Sequence, residues 1–245
     1  MTNFERKLRR MRQRRPTEPT PCVLHKVQGE RLLARRRGEI SPLEGFIPLG
    51  RNEVRGVLAC ATGHLYRPIH VYGPVSSEPL PPDAHFAGVS TDAREAGHTP
   101  LVGLLDRLVY VFHRGPAGRV DRILVDGNWG EPGDRLLVQE HYHRLESGTV
   151  EYEADFEPGE RPRTKYWKPA KDLGRRNVRL VLEITGLRPV RLQEAAASRG
   201  EYGERVLRTW DERYSRWGTE SSENPWAWEI GYQRLVPGAD LQGVQ

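Results

Sequence analysis

The segment Glu223-Asn-Pro-Trp-Ala-Trp-Glu-Ile230 constrains the fold most. Pro225 cannot continue a helix and biases Asn224 toward extended geometry, so the element before it must end there. Trp226, Trp228 and Ile230 then alternate with Ala227 and Glu229, the period-2 pattern of a strand. Two tryptophans on one face of a strand are expected to fill a core. A second alternation sets Val178, Leu180, Leu182 and Ile184 against Arg179, Val181 and Glu183, and predicts a strand over Asn177–Thr185. Between the two strands, residues 189–198 read as a short helix begun by Arg191-Leu192-Gln193. Residues 201–217 read as a longer helix with Val206, Leu207, Trp210 and Tyr214 at helical spacing.

The remainder of the chain alternates short elements. Arg31–Arg37 suits a short helix with Gly38 as its C-terminal cap. Ser41-Pro42 fits the start of another helix. Residues 52–59 place Val54, Val57 and Leu58 on one side of a helix, and residues 65–72 read as a strand. Residues 73–100, rich in Pro, Gly and Ser, read as a long irregular loop with a short helix at Asp92–Ala96. Leu108–Phe112 and Arg122–Val125 read as strands. Pro132-Gly133 signals a turn into a buried strand at Leu136–Val138. Val150–Ala154 is expected to form a hairpin with that strand around Ser147-Gly148. The sum is an α+β class, a small β-barrel with flanking helices and an elaborated N-terminal half.

Charge is unevenly placed. Residues 1–37 hold twelve Lys and Arg against three Glu, a net +9; the chain's total of +5 leaves −4 on residues 38–245. Such an arm, Arg9, Arg10 and Arg12 included, suits polyanions, whose phosphates it neutralises without reading sequence. Pro16, Pro19 and Pro21 make an extended linker behind it. The expected division is a basic arm and linker over 1–22, an N-terminal portion over 23–126, a core over 127–236 and a tail over 237–245. Two cysteines are too few for a disulfide framework or a cysteine zinc site. There is no apolar run of membrane-spanning length and no secretory leader, so a cytoplasmic protein with no membrane association is expected.

The C-terminal half resembles a known family. Gly133-Asp134-Arg135-Leu136, followed by Val138 and Glu140, matches a "PGDRLWVRETW" run. Lys168-Pro169, Arg175, Arg179, Leu182-Glu183, Thr185 and Gly186 match "KPSIHMPRWASRITLEVTG" without a gap. Arg191-Leu192-Gln193 matches "RLQ", Trp210-Asp211 matches "LWD", and Asn224-Pro225-Trp226-Ala227-Trp228 matches "NPWVWVIEF". These five runs, in order over Gly127 to Val236, resemble the phage and prophage branch of the ASCH-like family within the PUA-like β-barrel superfamily. The resemblance implies a PUA-like barrel that presents RNA or a modified base to its surface. The family also contains an amidohydrolase that removes acetyl from N4-acetylcytidine with a Lys, a Thr and a Glu. Its opening "GRKTQTRR" run has no counterpart here, since the chain lacks a Lys-Thr dipeptide, and Arg199 stands where its Glu would fall.

Three groups carry candidate chemistry. Lys165, Trp167, Lys168, Arg175, Arg176 and Arg179 combine cations that grip phosphate with an aromatic ring, Trp167 or Tyr166, that can stack on a base. Arg–carboxylate pairs that hold the loop, with Glu183 or Asp211 as partners, are the structural alternative. Glu140 and Lys168 are the candidate catalytic pair if the chain is an enzyme. His141 and His143, at i and i+2 on a strand, are a candidate for a shared metal, with no third ligand evident beyond His113 or Glu140. The expected function is a module that binds RNA, single-stranded nucleic acid or a modified nucleotide, without a cofactor. A hydrolase acting on a modified nucleoside or RNA is the first alternative. A phage accessory or assembly protein whose arm binds an acidic partner protein is the second.

Overall fold

The computed structural model describes residues 28, 30, 32–34, 37–38, 41–72, 77–90, 109–115, 121–126, 129–157, 166–215 and 219–235. The expectations for the basic arm with Arg9, Arg10 and Arg12, for Lys165, for the helix at Asp92–Ala96 and for the tail lie outside these residues.

In chain order the elements are β1 (Glu44–Pro48), α1 (Arg51–Ala59), β2 (Thr62–Pro68), β3 (His70–Tyr72), β4 (Ser77–Pro79), β5 (His85–Ser90), β6 (Val109–Arg114) and β7 (Asp121–Asp126). They continue with β8 (Arg135–Gln139), β9 (Tyr142–Arg144), β10 (Val150–Tyr152), β11 (Val181–Arg191), α2 (Leu192–Ala197), α3 (Glu201–Tyr214) and β12 (Trp226–Leu235). The protein is a mixed α+β chain in which strands predominate. Among the described residues the largest sheet has five strands in the order β1-β8-β11-β12-β2 and does not close into a barrel. The chain forms two compact units. The first comprises residues 1–30, 66–128 and 188–228, and the second residues 31–65, 129–187 and 229–245.

In the second unit β1 pairs in parallel with β8, and β8 pairs antiparallel with β11. Strand alternation sends Ile47, Leu136, Val138, Leu182 and Ile184 to one face, where all five are buried. Each such side chain is worth about 1.5–3 kcal/mol of transfer free energy. The turn before β8 is held by Asp134. Its carboxylate is buried and accepts the Leu43 N–H (2.9 Å) and the Glu131 N–H (2.8 Å). Gly133, at φ +89°, supplies the left-handed turn position that an L side chain resists. Asp134→Ala would leave two N–H donors, one buried and one part-buried, without their charged acceptor. The expected loss is about 2–4 kcal/mol, read as a lower urea midpoint, with Asp134→Asn losing less.

In the first unit β5, β6 and β7 form an antiparallel sheet, and β3 pairs with β4. The tryptophan alternation does what its period requires. Trp228 meets the Tyr110 ring edge-on (centroids 4.5 Å apart) and Trp226 meets Phe112 likewise (5.1 Å). Tyr110 and Phe112 are themselves two residues apart on β6, so two i, i+2 aromatic pairs face each other. Trp226 also donates Nε1–H to the Ala84 carbonyl (2.9 Å) and lies under the Arg191 guanidinium (4.5 Å). A second cluster joins Tyr66, Leu192, Ala195, Trp210, Tyr214 and Ala227. Against the extended geometry expected before Pro225, Asn224 takes a left-handed conformation (φ +50°), which its side-chain oxygen supports by accepting the Gln193 N–H (2.9 Å) at the start of α2. Gln193 Nε2 in turn donates to the Ser221 and Ser222 carbonyls. The "RLQ" and Asn-Pro runs are therefore two halves of one joint.

Four further local expectations are corrected. Ser41-Pro42 does not start a helix; it leads into β1, because Leu43 is tied to Asp134 and the chain pairs with β8. The described part of residues 73–100 holds strands β4 and β5. Pairing to β3 and β6 outweighs its Pro and Gly content there. The hairpin around Ser147-Gly148 joins β10 to the separate strand β9, not to β8. The strand expected from Asn177 begins at Val181, since Arg175–Asn177 form a 3-10 turn.

Candidate nucleic-acid interface

The described members of the basic and aromatic group lie in the second unit, on the segment from Tyr166 to Arg179. Two successive 3-10 turns, Ala170–Asp172 and Arg175–Asn177, shape it. Its backbone is anchored at several points. Tyr142 and Lys168 exchange both backbone hydrogen bonds (3.3 and 2.7 Å). Gln139 Nε2 donates to the Lys171 and Leu173 carbonyls (3.0 Å each), and the Tyr142 hydroxyl donates to the Asp172 carbonyl (3.0 Å). The Tyr152 hydroxyl donates to the Asn177 carbonyl (2.6 Å). Leu173 is buried beneath the segment.

The side chains divide into two sets. Arg179 turns inward. Its Nε and Nη2 donate to the two oxygens of Glu140 (2.9 and 2.8 Å), and its Nη1 donates to Asp155 (2.7 Å). Its guanidinium lies 4.1 Å from the centre of the Tyr152 ring. Burial opposes the Arg179 charge, but the hydrogen bonds and charges of Glu140 and Asp155 outweigh it and raise the guanidinium pKa above its ordinary value. Burial raises the Tyr152 phenol pKa; Arg179 pulls it down, while Glu140 and Asp155 add to the rise. The carboxylate of Glu140 is 1% exposed, and each of its oxygens takes an N–H from the same guanidinium. Glu140 holds Arg179, while Lys168 is exposed with its ammonium 5.9 Å from the Tyr142 ring centre.

The second set turns outward. Tyr166 is 72% exposed, and Lys168, Lys171, Arg175 and Arg176 are exposed as well. Arg175 meets Glu44 of β1 at 2.5 Å while most of its side chain remains in solvent. Trp167 is half-buried and packs on Phe156 (5.1 Å between ring centres). Phe156 is fixed in turn from α1: Arg51 and Arg55 both donate to its carbonyl, and Arg55 Nε donates to the Ala154 carbonyl (3.0 Å). Trp167 therefore steadies the segment, and Tyr166 is the ring presented to solvent.

His141 pairs through Nδ1 with Glu153 (2.7 Å). Among the described residues no group of three or more His, Cys, Asp or Glu is placed to hold a metal ion. No described helix is long and apolar enough to cross a membrane. Among the described residues Asp211 pairs with no arginine of the loop; its two oxygens accept the N–H and the hydroxyl of Ser221 (2.7 Å each).

Gln139, Tyr142, Tyr152 and Asp155 were not legible as members of the site. One signal existed. Tyr142 and Tyr152 flank the Ser147-Gly148 turn almost symmetrically, which makes them cross-strand partners in a hairpin. No family model, curated protein or solved structure matches the chain.

Proposed function

We propose that the segment from Tyr166 to Arg176 is a contact surface for single-stranded nucleic acid, RNA above all, on a unit of the ASCH-like, PUA-like kind found in phages and prophages. One observation carries the reading: an exposed aromatic ring, Tyr166, stands on a hydrogen-bonded segment that also exposes Lys168, Lys171, Arg175 and Arg176. Rings in this setting stack on unpaired bases, and the cations neutralise the phosphates between them. The ordered motifs from Gly133 to Trp228 support the family resemblance. The +9 charge of residues 1–37 adds attraction that does not depend on sequence.

Fluorescence anisotropy with a labelled single-stranded RNA oligonucleotide over a salt series tests the reading. The chain is expected to bind, with log K falling as log salt rises, by a slope of about 0.7 per phosphate contact. Replacing Lys168, Lys171 and Arg176 together by Ala should lower that slope by about 2. Tyr166→Ala should weaken binding roughly 5- to 150-fold and leave the slope in place. Absence of binding, or variants indistinguishable from the parent chain, would overturn the proposal.

A further inference from the structure

We infer that Tyr142 and Tyr152 are positioning residues of this surface, an inference that rests on the nucleic-acid reading. The two are register partners across the β9–β10 hairpin and so share a face. Their hydroxyls reach different turns of the presented segment. Tyr142 donates to the carbonyl of Asp172 in the first, and Tyr152 to that of Asn177 in the second. Gln139 takes up the Lys171 and Leu173 carbonyls on either side of Asp172. Carbonyls 171, 172, 173 and 177 therefore all point at the protein, while the side chains of Lys171, Arg175 and Arg176 are exposed to solvent.

The Tyr152 ring is itself located by the Arg179 guanidinium stacked on it, which Glu140 and Asp155 hold. This acid–arginine group, in which Glu140 is buried, thus acts on the surface through a tyrosine and not through a ligand. A segment fixed in this way loses less conformational freedom when a strand binds, so its affinity is higher for the same contacts.

The test is the Tyr142→Phe/Tyr152→Phe double variant, which deletes both hydroxyls and keeps both rings. Its amide exchange at Leu173, Asn177 and Val178 is expected to quicken roughly ten-fold while β8 and β11 amides stay as slow as in the parent. Its affinity for the same RNA oligonucleotide should fall roughly ten-fold with an unchanged salt slope, because no phosphate contact is removed. If the double variant does not fold, Tyr152→Phe alone is expected to give a smaller change of the same kind. Faster exchange at Leu173, Asn177 and Val178 with unaltered affinity would overturn the inference and leave the surface itself standing. A lowered slope would show that the double variant alters phosphate contacts rather than the ordering of the segment, and would overturn it too. A parent chain that binds no RNA would remove both the inference and the reading beneath it.

Discussion

Arg179→Met is expected to lower the stability of the second unit by about 3–5 kcal/mol, because it leaves the Glu140 carboxylate buried without its only hydrogen-bonding cation among the described residues. For a chain of this size that is a fall in thermal midpoint on the order of 10 °C or more. The two partners are not equivalent. Arg179 retains Asp155 when Glu140 is lost, and Asp155 is close to half exposed, so Glu140→Gln is expected to cost less than Arg179→Met. Replacing both, by Glu140→Leu with Arg179→Met, should recover most of the loss, since a well-packed apolar pair escapes the cost of desolvating two charges. A double-mutant cycle on urea midpoints measures this directly. An Arg179→Met variant as stable as the parent would mean that the buried pair is not what holds the segment.

Gly203→Ala is expected to have an effect of similar size in the first unit. Intrinsic propensity favours Ala over Gly by about 1 kcal/mol inside a helix. At this position sterics decide the sign. A Cβ on Gly203 would lie 1.9 Å from the Ala196 carbonyl oxygen, which belongs to the backbone of α2 and has no rotamer to change. The helices α2 and α3 must separate, and with them Leu192, Ala195, Trp210 and Tyr214 of the shared cluster. The net loss should be about 3 kcal/mol, or roughly 10 °C in thermal midpoint. Stabilisation by Gly203→Ala would show that α2 and α3 do not approach as described.

Legibility in the sequence followed the range of the forces involved. The Trp226, Trp228, Ile230 alternation named a strand because its two tryptophans meet aromatic partners, and Tyr110 and Phe112 supply them. Helix α1 was legible from Val54 and Val57, both buried, at helical spacing. Strand β1 was not. Glu44-Gly-Phe-Ile-Pro48 is short and ends in proline, and it becomes a strand only because β8, some ninety residues further on, runs parallel to it. The same reasoning separates the site residues. Tyr166 and its neighbouring cations could be read from composition, since exposure is the default for such side chains. The inward turn of Arg179 could not, because it depends on Glu140 and Asp155 being brought to it by separate elements. Gly203 carried no local signal either, as its requirement comes from the backbone of the neighbouring helix.

The most direct measurement is photo-crosslinking of a single-stranded RNA containing 4-thiouridine, with the adduct located by mass spectrometry. The predicted result is an adduct within the peptide that spans Tyr166 to Arg176, lost on Tyr166→Ala and diminished at high salt. Adducts confined to residues 1–15, or to the first unit, would contradict the assignment of this surface.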